Sequence, residues 1–144
     1  MNVAGVSHEQ SLIQPSPAGN CLNWVLGHLL AIYNDVLPLL GRPSVISDGS
    51  LARYARGSAP IVRPSDALPL AHLFSAWDDA CTSVDAGLAA LPPSRLAEPA
   101  PMSPTGDANE TVGSLLFTVL FHQAYHAGQL GLLRRLAGER GAIA

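Results

Sequence analysis

The sequence predicts an all-α fold, and three observations predict it. Three long segments repeat apolar residues at spacings of three and four, the period of a helix with one buried face. Proline-rich stretches separate those segments, and proline ends helices by removing an N–H donor. No segment alternates apolar and polar residues as a half-buried strand does, and no internal repeat occurs. A chain of 144 residues is one ordinary domain by length, spanning 1–144. Its 48% hydrophobic content is sufficient for a core.

The elements follow in order. Residues 1–18 carry little pattern: Ser7 to Leu12 suit one or two helical turns, and Pro15 and Pro17 set an extended connection. Asn20 is a good N-cap for a first long helix from Cys21 to Leu40. Cys21, Trp24, Val25, His28, Ile32 and Asp35 share one stripe of it. Gly41 and Pro43 terminate it. Residues 41–64 form a connection long enough to be a lid or an oligomer contact, with a short helix at 51–56.

A second long helix is expected from Ser65, as N-cap, to Leu91. Its apolar stripe is Leu70, Leu73, Phe74, Trp77, Cys81, Val84, Leu88 and Leu91. Pro92 and Pro93 stop it, and residues 94–107 read as a loop. The third long helix runs from about Asn109 to Ala137, capped by Asn109 or Asp107. Leu115, Val119, His122, His126, Leu133 and Leu136 lie near its seam, and Gly138 ends it.

Composition excludes several classes. All eight basic residues are arginine, spread along the chain, and the net charge is −3. That is no electrostatic footprint for nucleic acid or an anionic membrane. The most apolar stretch, 112–136, is interrupted by His122, Gln123, His126 and Gln129, which suits a bundle core rather than a membrane span. Residues 1–10 have neither the basic start nor the apolar run of a signal peptide. Cys21 and Cys81 form no CxxC pair and read as buried free thiols. A cytoplasmic protein is expected.

Three of the five histidines, His28, His122 and His126, sit on core-facing stripes; His72 and His8 do not. His122 and His126 stand one turn apart on one helix face, a spacing that lets two imidazoles share one metal ion. A lone core histidine needs only a hydrogen-bond partner. Three convergent ones pay desolvation three times over, and a divalent cation is a partner they can share. On spacing, the metal site and the hydrogen-bonded core both stand.

The segments Asn20 to Leu29 and His122 to Leu130, followed by Arg134 and Arg135, resemble the DinB/YfiT-like superfamily. The resemblance runs from about Pro15 to Gly138. It implies a four-helix bundle with a metal held by three histidines, one on the second helix and two in an HxxxH pair on the last. Those positions fall on His28, His122 and His126. Family members usually start with a full helix, so here the first helix is expected to be short or missing. That leaves an apolar side open, and a homodimer is expected to cover it.

Three imidazoles leave a divalent ion with open positions, as in catalytic sites. Nitrogen ligands suit zinc, nickel, copper or iron, with zinc or nickel leading. The open positions suit water or a thiol. The resemblance implies either hydrolase chemistry or S-transfer with a low-molecular-weight thiol, on a small-molecule substrate. No general base is evident. Asp35 lies about 10.5 Å along the axis from His28, too far to join it. Gln129, three residues after His126, is the one candidate for contacting a ligand or metal-bound water. Tyr125 and Trp24 read as packing. The alternative is a non-catalytic metal- or ligand-binding dimer. The weaker need of a thiolate for proton transfer tilts the choice toward thiol chemistry.

Overall fold

In the computed structural model, which describes residues 2–16 and 18–142, four α-helices and no strands carry the chain. They are α1 (His8–Ser11), α2 (Leu22–Val36), α3 (Leu70–Ala90) and α4 (Val112–Leu136). The all-α expectation holds, and the first helix is indeed short.

Helix α2 is the wall shared by the others. It packs against both α3 and α4, and on the 3-10 turn Ser50–Tyr54. Every residue from Leu22 to Leu30 is therefore buried, where a single stripe was expected. Asp35, placed on that stripe by its spacing, is exposed beyond the buried part. Cys21 is the N-cap rather than Asn20. The α-helix stops at Val36 and continues as a 3-10 turn, Leu37–Leu40, because Pro38 has no N–H to extend the ladder. Gly41 closes it in the left-handed region, φ 69°, which costs glycine no side-chain clash.

The N-cap of the second long helix lies four residues later than expected. Ser65 belongs to a separate 3-10 turn, Pro64–Asp66, and Pro69 is the N-cap of α3. A proline there disfavours helical backbone at Leu68 and so sets the boundary. His8 substitutes for a cap, its Nδ1 accepting the Leu70 N–H at 3.3 Å. Leu88 is exposed, off the expected stripe.

Helix α4 is capped by Thr111 instead of Asn109 or Asp107. The Ser114 N–H donates to Thr111 Oγ1 at 3.2 Å, and the Thr111 N–H donates back to Ser114 Oγ at 2.9 Å. Both sides of the first turn are thus satisfied. The stretch read as a loop contains the 3-10 turn Pro93–Ala97, and Pro99 bridges to Thr111. Leu136 is exposed, while Leu130 and Ala137 are buried.

The N-terminal segment ties down one end of the bundle. Val3 and Val6 enter the core. Asn2 Nδ2 donates to the Ala127 carbonyl at 2.8 Å, and Gln10 Nε2 to the Ala137 carbonyl at 3.2 Å. Arg134 donates to the Ala4 carbonyl. Among the described residues the space between α3 and α4 is incompletely filled. An apolar cleft of about 320 Å³ remains there, lined by Tyr33, Val84, Leu88, Leu96 and Phe117 among others. Among the described residues no helix is long and apolar enough to cross a membrane. Cys21 is buried, Cys81 is half-buried, and both thiols are free.

Candidate metal centre

Helix α2 supplies His28 and α4 supplies His122 and His126, and the three rings meet where the two helices pack. The His122 Nε2 lies 3.3 Å from His28 Nε2 and 3.0 Å from His126 Nε2. The three possible ligand atoms all lie within 4.8 Å of one another. Two nitrogen ligands on a tetrahedral zinc, each about 2.0–2.1 Å from the ion, stand roughly 3.3 Å apart. The two separations from His122 Nε2 are close to that spacing.

Outer partners set which nitrogen faces inward. His28 Nδ1 stands 2.8 Å from the Tyr54 carbonyl. A carbonyl only accepts, so Nδ1 carries the proton and Nε2 presents a lone pair. His126 Nδ1 lies 2.6 Å from Gln129 Oε1 in the same arrangement. Gln129 Nε2 in turn reaches the Tyr125 hydroxyl at 3.4 Å. Two lone pairs thus converge on His122 Nε2, which can donate to only one of them. Its own Nδ1 is buried without a partner. This donor set is badly satisfied by itself and well matched to a shared cation.

Electrostatics favour the neutral, ligating form. Burial, followed by the neighbouring His126 and His28 and by the Arg56 guanidinium, pushes His122 down to about 4. Burial also lowers His126, with the Gln129 hydrogen bond opposing it. Neutral imidazoles are what a metal needs, because protons and metal compete for the same lone pair.

The connection at 41–64 builds the site's far wall, and Gly27 is the reason it fits. A Cβ on Gly27 would lie 2.3 Å from the Tyr54 ring. Without one, the ring lies flat on α2, and the Tyr54 backbone reaches the neighbouring His28. The Tyr54 hydroxyl donates to Asn23 Oδ1 at 2.9 Å and accepts the Leu68 N–H at 2.8 Å. Trp24 stacks on His28, with ring centroids 4.8 Å apart and planes 15° apart. Its Nε1 donates to Ser58 Oγ at 3.0 Å.

A cavity of about 720 Å³ opens over the histidines. Its walls include Trp24, Val25, Ile32, Val119 and Leu133, and Arg56 and Gly57 from the connection. No carboxylate lines it among the described residues. Each sequence-predicted ligand, and Gln129, is therefore at the cluster. Tyr125, read as pointing elsewhere, lines the cavity with its ring edge-on to His126 at 5.1 Å. Sequence reading missed Tyr54 and Arg56. Neither belongs to a motif; the glycine before His28 was their one trace.

Residues 2–130 match the family model of the DinB superfamily. The chain belongs to the DinB superfamily. This DinB match takes in the short α1, ahead of Pro15 where the resemblance was taken to begin, and stops within α4. No curated protein matches the sequence. In the DinB bundle described here, the three-histidine cluster is compatible with metal binding.

Proposed function

We propose that this DinB protein is a metal-dependent enzyme acting on a small molecule, with a divalent ion held by Nε2 of His28, His122 and His126. The observation that carries this reading is the tautomer set: two imidazoles have Nδ1 committed outward, and three Nε2 atoms converge. A divalent ion there supplies Lewis acidity and open positions for substrate. Zinc and nickel suit the all-nitrogen donor set best.

The chain's own residues do the rest. Tyr54 and Gln129 fix the ligand rings, so Gln129 acts as a positioning residue. Trp24 and the aliphatic wall exclude water from the substrate's apolar part. The absence of a lining carboxylate supports thiol S-transfer over hydrolysis, since a thiol bound at a cation loses its proton without a strong base. The same absence is what favours the second reading, a non-catalytic metal- or ligand-binding bundle. We also propose a homodimer in the cytoplasm, with the outer face of α4 as its interface.

Metal analysis of untagged protein tests the centre. One ion per chain is expected, falling to near zero in His126→Ala with folding retained by circular dichroism. A metal-free wild type sinks the proposal. With metal present, turnover of thiol plus electrophile pairs that is lost in His126→Ala supports the enzyme. No turnover across thiol and ester substrates favours the binding module.

A further inference from the structure

Arg56 is the only charged side chain among the residues that line the 720 Å³ cavity over the histidines. No acidic group balances it there. Among the described residues Arg63, Arg95 and Arg134 each pair with a carboxylate, and Arg56 does not. Its Nη1 donates to the Pro104 carbonyl at 3.2 Å. That bond ties the 41–64 connection to the loop before α4, and both residues line the cavity. A guanidinium has five N–H donors in a planar fork. The Pro104 carbonyl occupies one, which leaves donors free for an anion.

The rest of the lining is apolar or neutral. Trp24, Val25, Ile32, Val119, Leu132 and Leu133 supply hydrocarbon and aromatic surface. A cavity of this size holds a drug-sized molecule. Its chemistry is therefore three imidazoles, apolar walls and one cation.

We propose that the cavity takes an organic carboxylate with an apolar body, its carboxylate held by Arg56 and its body against the Trp24 and Leu133 walls. Arg56 is a specificity-determining residue for charge. The inference rests on the proposed function only in taking this cavity as the substrate site; the charge preference itself needs no metal.

Calorimetric titration of the purified protein with straight-chain carboxylates of six to twelve carbons, and with their primary amides, tests this. The carboxylates are expected to bind about tenfold tighter than the matched amides, the range of a charge-assisted hydrogen bond. Arg56→Met removes that preference, and Arg56→Lys keeps part of it. Removal of bound metal with a chelator leaves the preference in place. Three outcomes overturn the proposal: a preference that survives Arg56→Met, one lost on chelator treatment because the ion takes the carboxylate, or no binding by any chain length. Metal content of the same wild-type preparation separates the two proposals. A preference without metal leaves this one standing and removes the metal centre; metal without a preference does the reverse.

Discussion

His122 differs from the other two histidines in having no outer partner: its Nδ1 is buried and unpaired, while Nδ1 of His28 and His126 face Tyr54 and Gln129. Its ring is held at about 4 against an ordinary 6.5, with burial the first cause. The sign follows from proton counting. Between those two values the unfolded chain binds a proton that the folded site rejects, so stability falls as pH drops through that window. In chelator, the melting temperature of wild type is expected to fall between pH 7 and 4.5, and more steeply than that of His122→Gln. Parallel slopes for the two proteins contradict the assignment. Gln129 is tested at the same scale. Gln129→Leu leaves the His126 Nδ1–H without its acceptor, and loss of such an outer partner typically weakens metal binding about 10–100-fold. Competition with a fluorescent chelator measures this, and Gln129→Glu, which keeps an acceptor, should retain most of the affinity.

At the scale of elements, α2 carries the site because Gly27 lets a connection lie against it. Gly27→Ala places a methyl inside the Tyr54 ring, at 2.3 Å from Cδ1. Overpacking of this kind costs about 1–3 kcal/mol, and here it also lifts the carbonyl that orients His28. Thermal unfolding and metal titration of Gly27→Ala should both worsen. Weaker metal binding with an unchanged melting temperature, or the converse, separates the orienting role of Tyr54 from its packing role. The same helix explains what the sequence made legible. Its periodicity placed His28 on the right face, and the HxxxH spacing brought His122 and His126 to one side of α4. These are local facts of helical geometry, readable at 3.6 residues per turn. Helix starts were misplaced because Pro69 and Thr111 overrode the polar residues just before them, Ser65 and Asn109. Tyr54 and Arg56 reach the site through a long irregular connection, and no periodicity encodes where such a segment docks.

At the scale of the whole molecule, the proposed dimer turns on the outer side of α4. Helix α1 is a single turn at one end of the bundle, and the outer side of α4 is apolar. Phe117 is 70% exposed, Phe121 68% and Leu132 68%, with Leu120, Tyr125 and Leu136 also more than half exposed. At 100° per residue these six fall within one side of the helix, centred on Ala124 and Gly128. A Cβ on Gly128 would meet nothing within 4 Å, so another backbone can approach closely there. From Thr111 to Leu133 the sequence contains no charged residue to keep that side in water. Together the six side chains offer roughly 600–700 Å² of apolar surface, close to the ~800 Å² per partner of a standard interface. A patch of this size on a monomer is unusual. In the dimer we propose, a two-fold pairing of α4 with α4 of a second copy would cover it, and each residue would then enter the interface twice. Phe121→Asp puts two carboxylates near the axis. At ~2 kcal/mol or more for each lost aromatic anchor, the dissociation constant should rise by roughly a thousandfold. Light scattering behind size exclusion should give the dimer mass for wild type at micromolar concentration and the monomer mass for Phe121→Asp, with helicity unchanged. A wild type that stays monomeric at that concentration sinks the interface. Because Tyr125 and Leu132 belong both to this face and to the cavity lining, the variant should also alter ligand titrations in that cavity, as an interface elsewhere on the molecule would not.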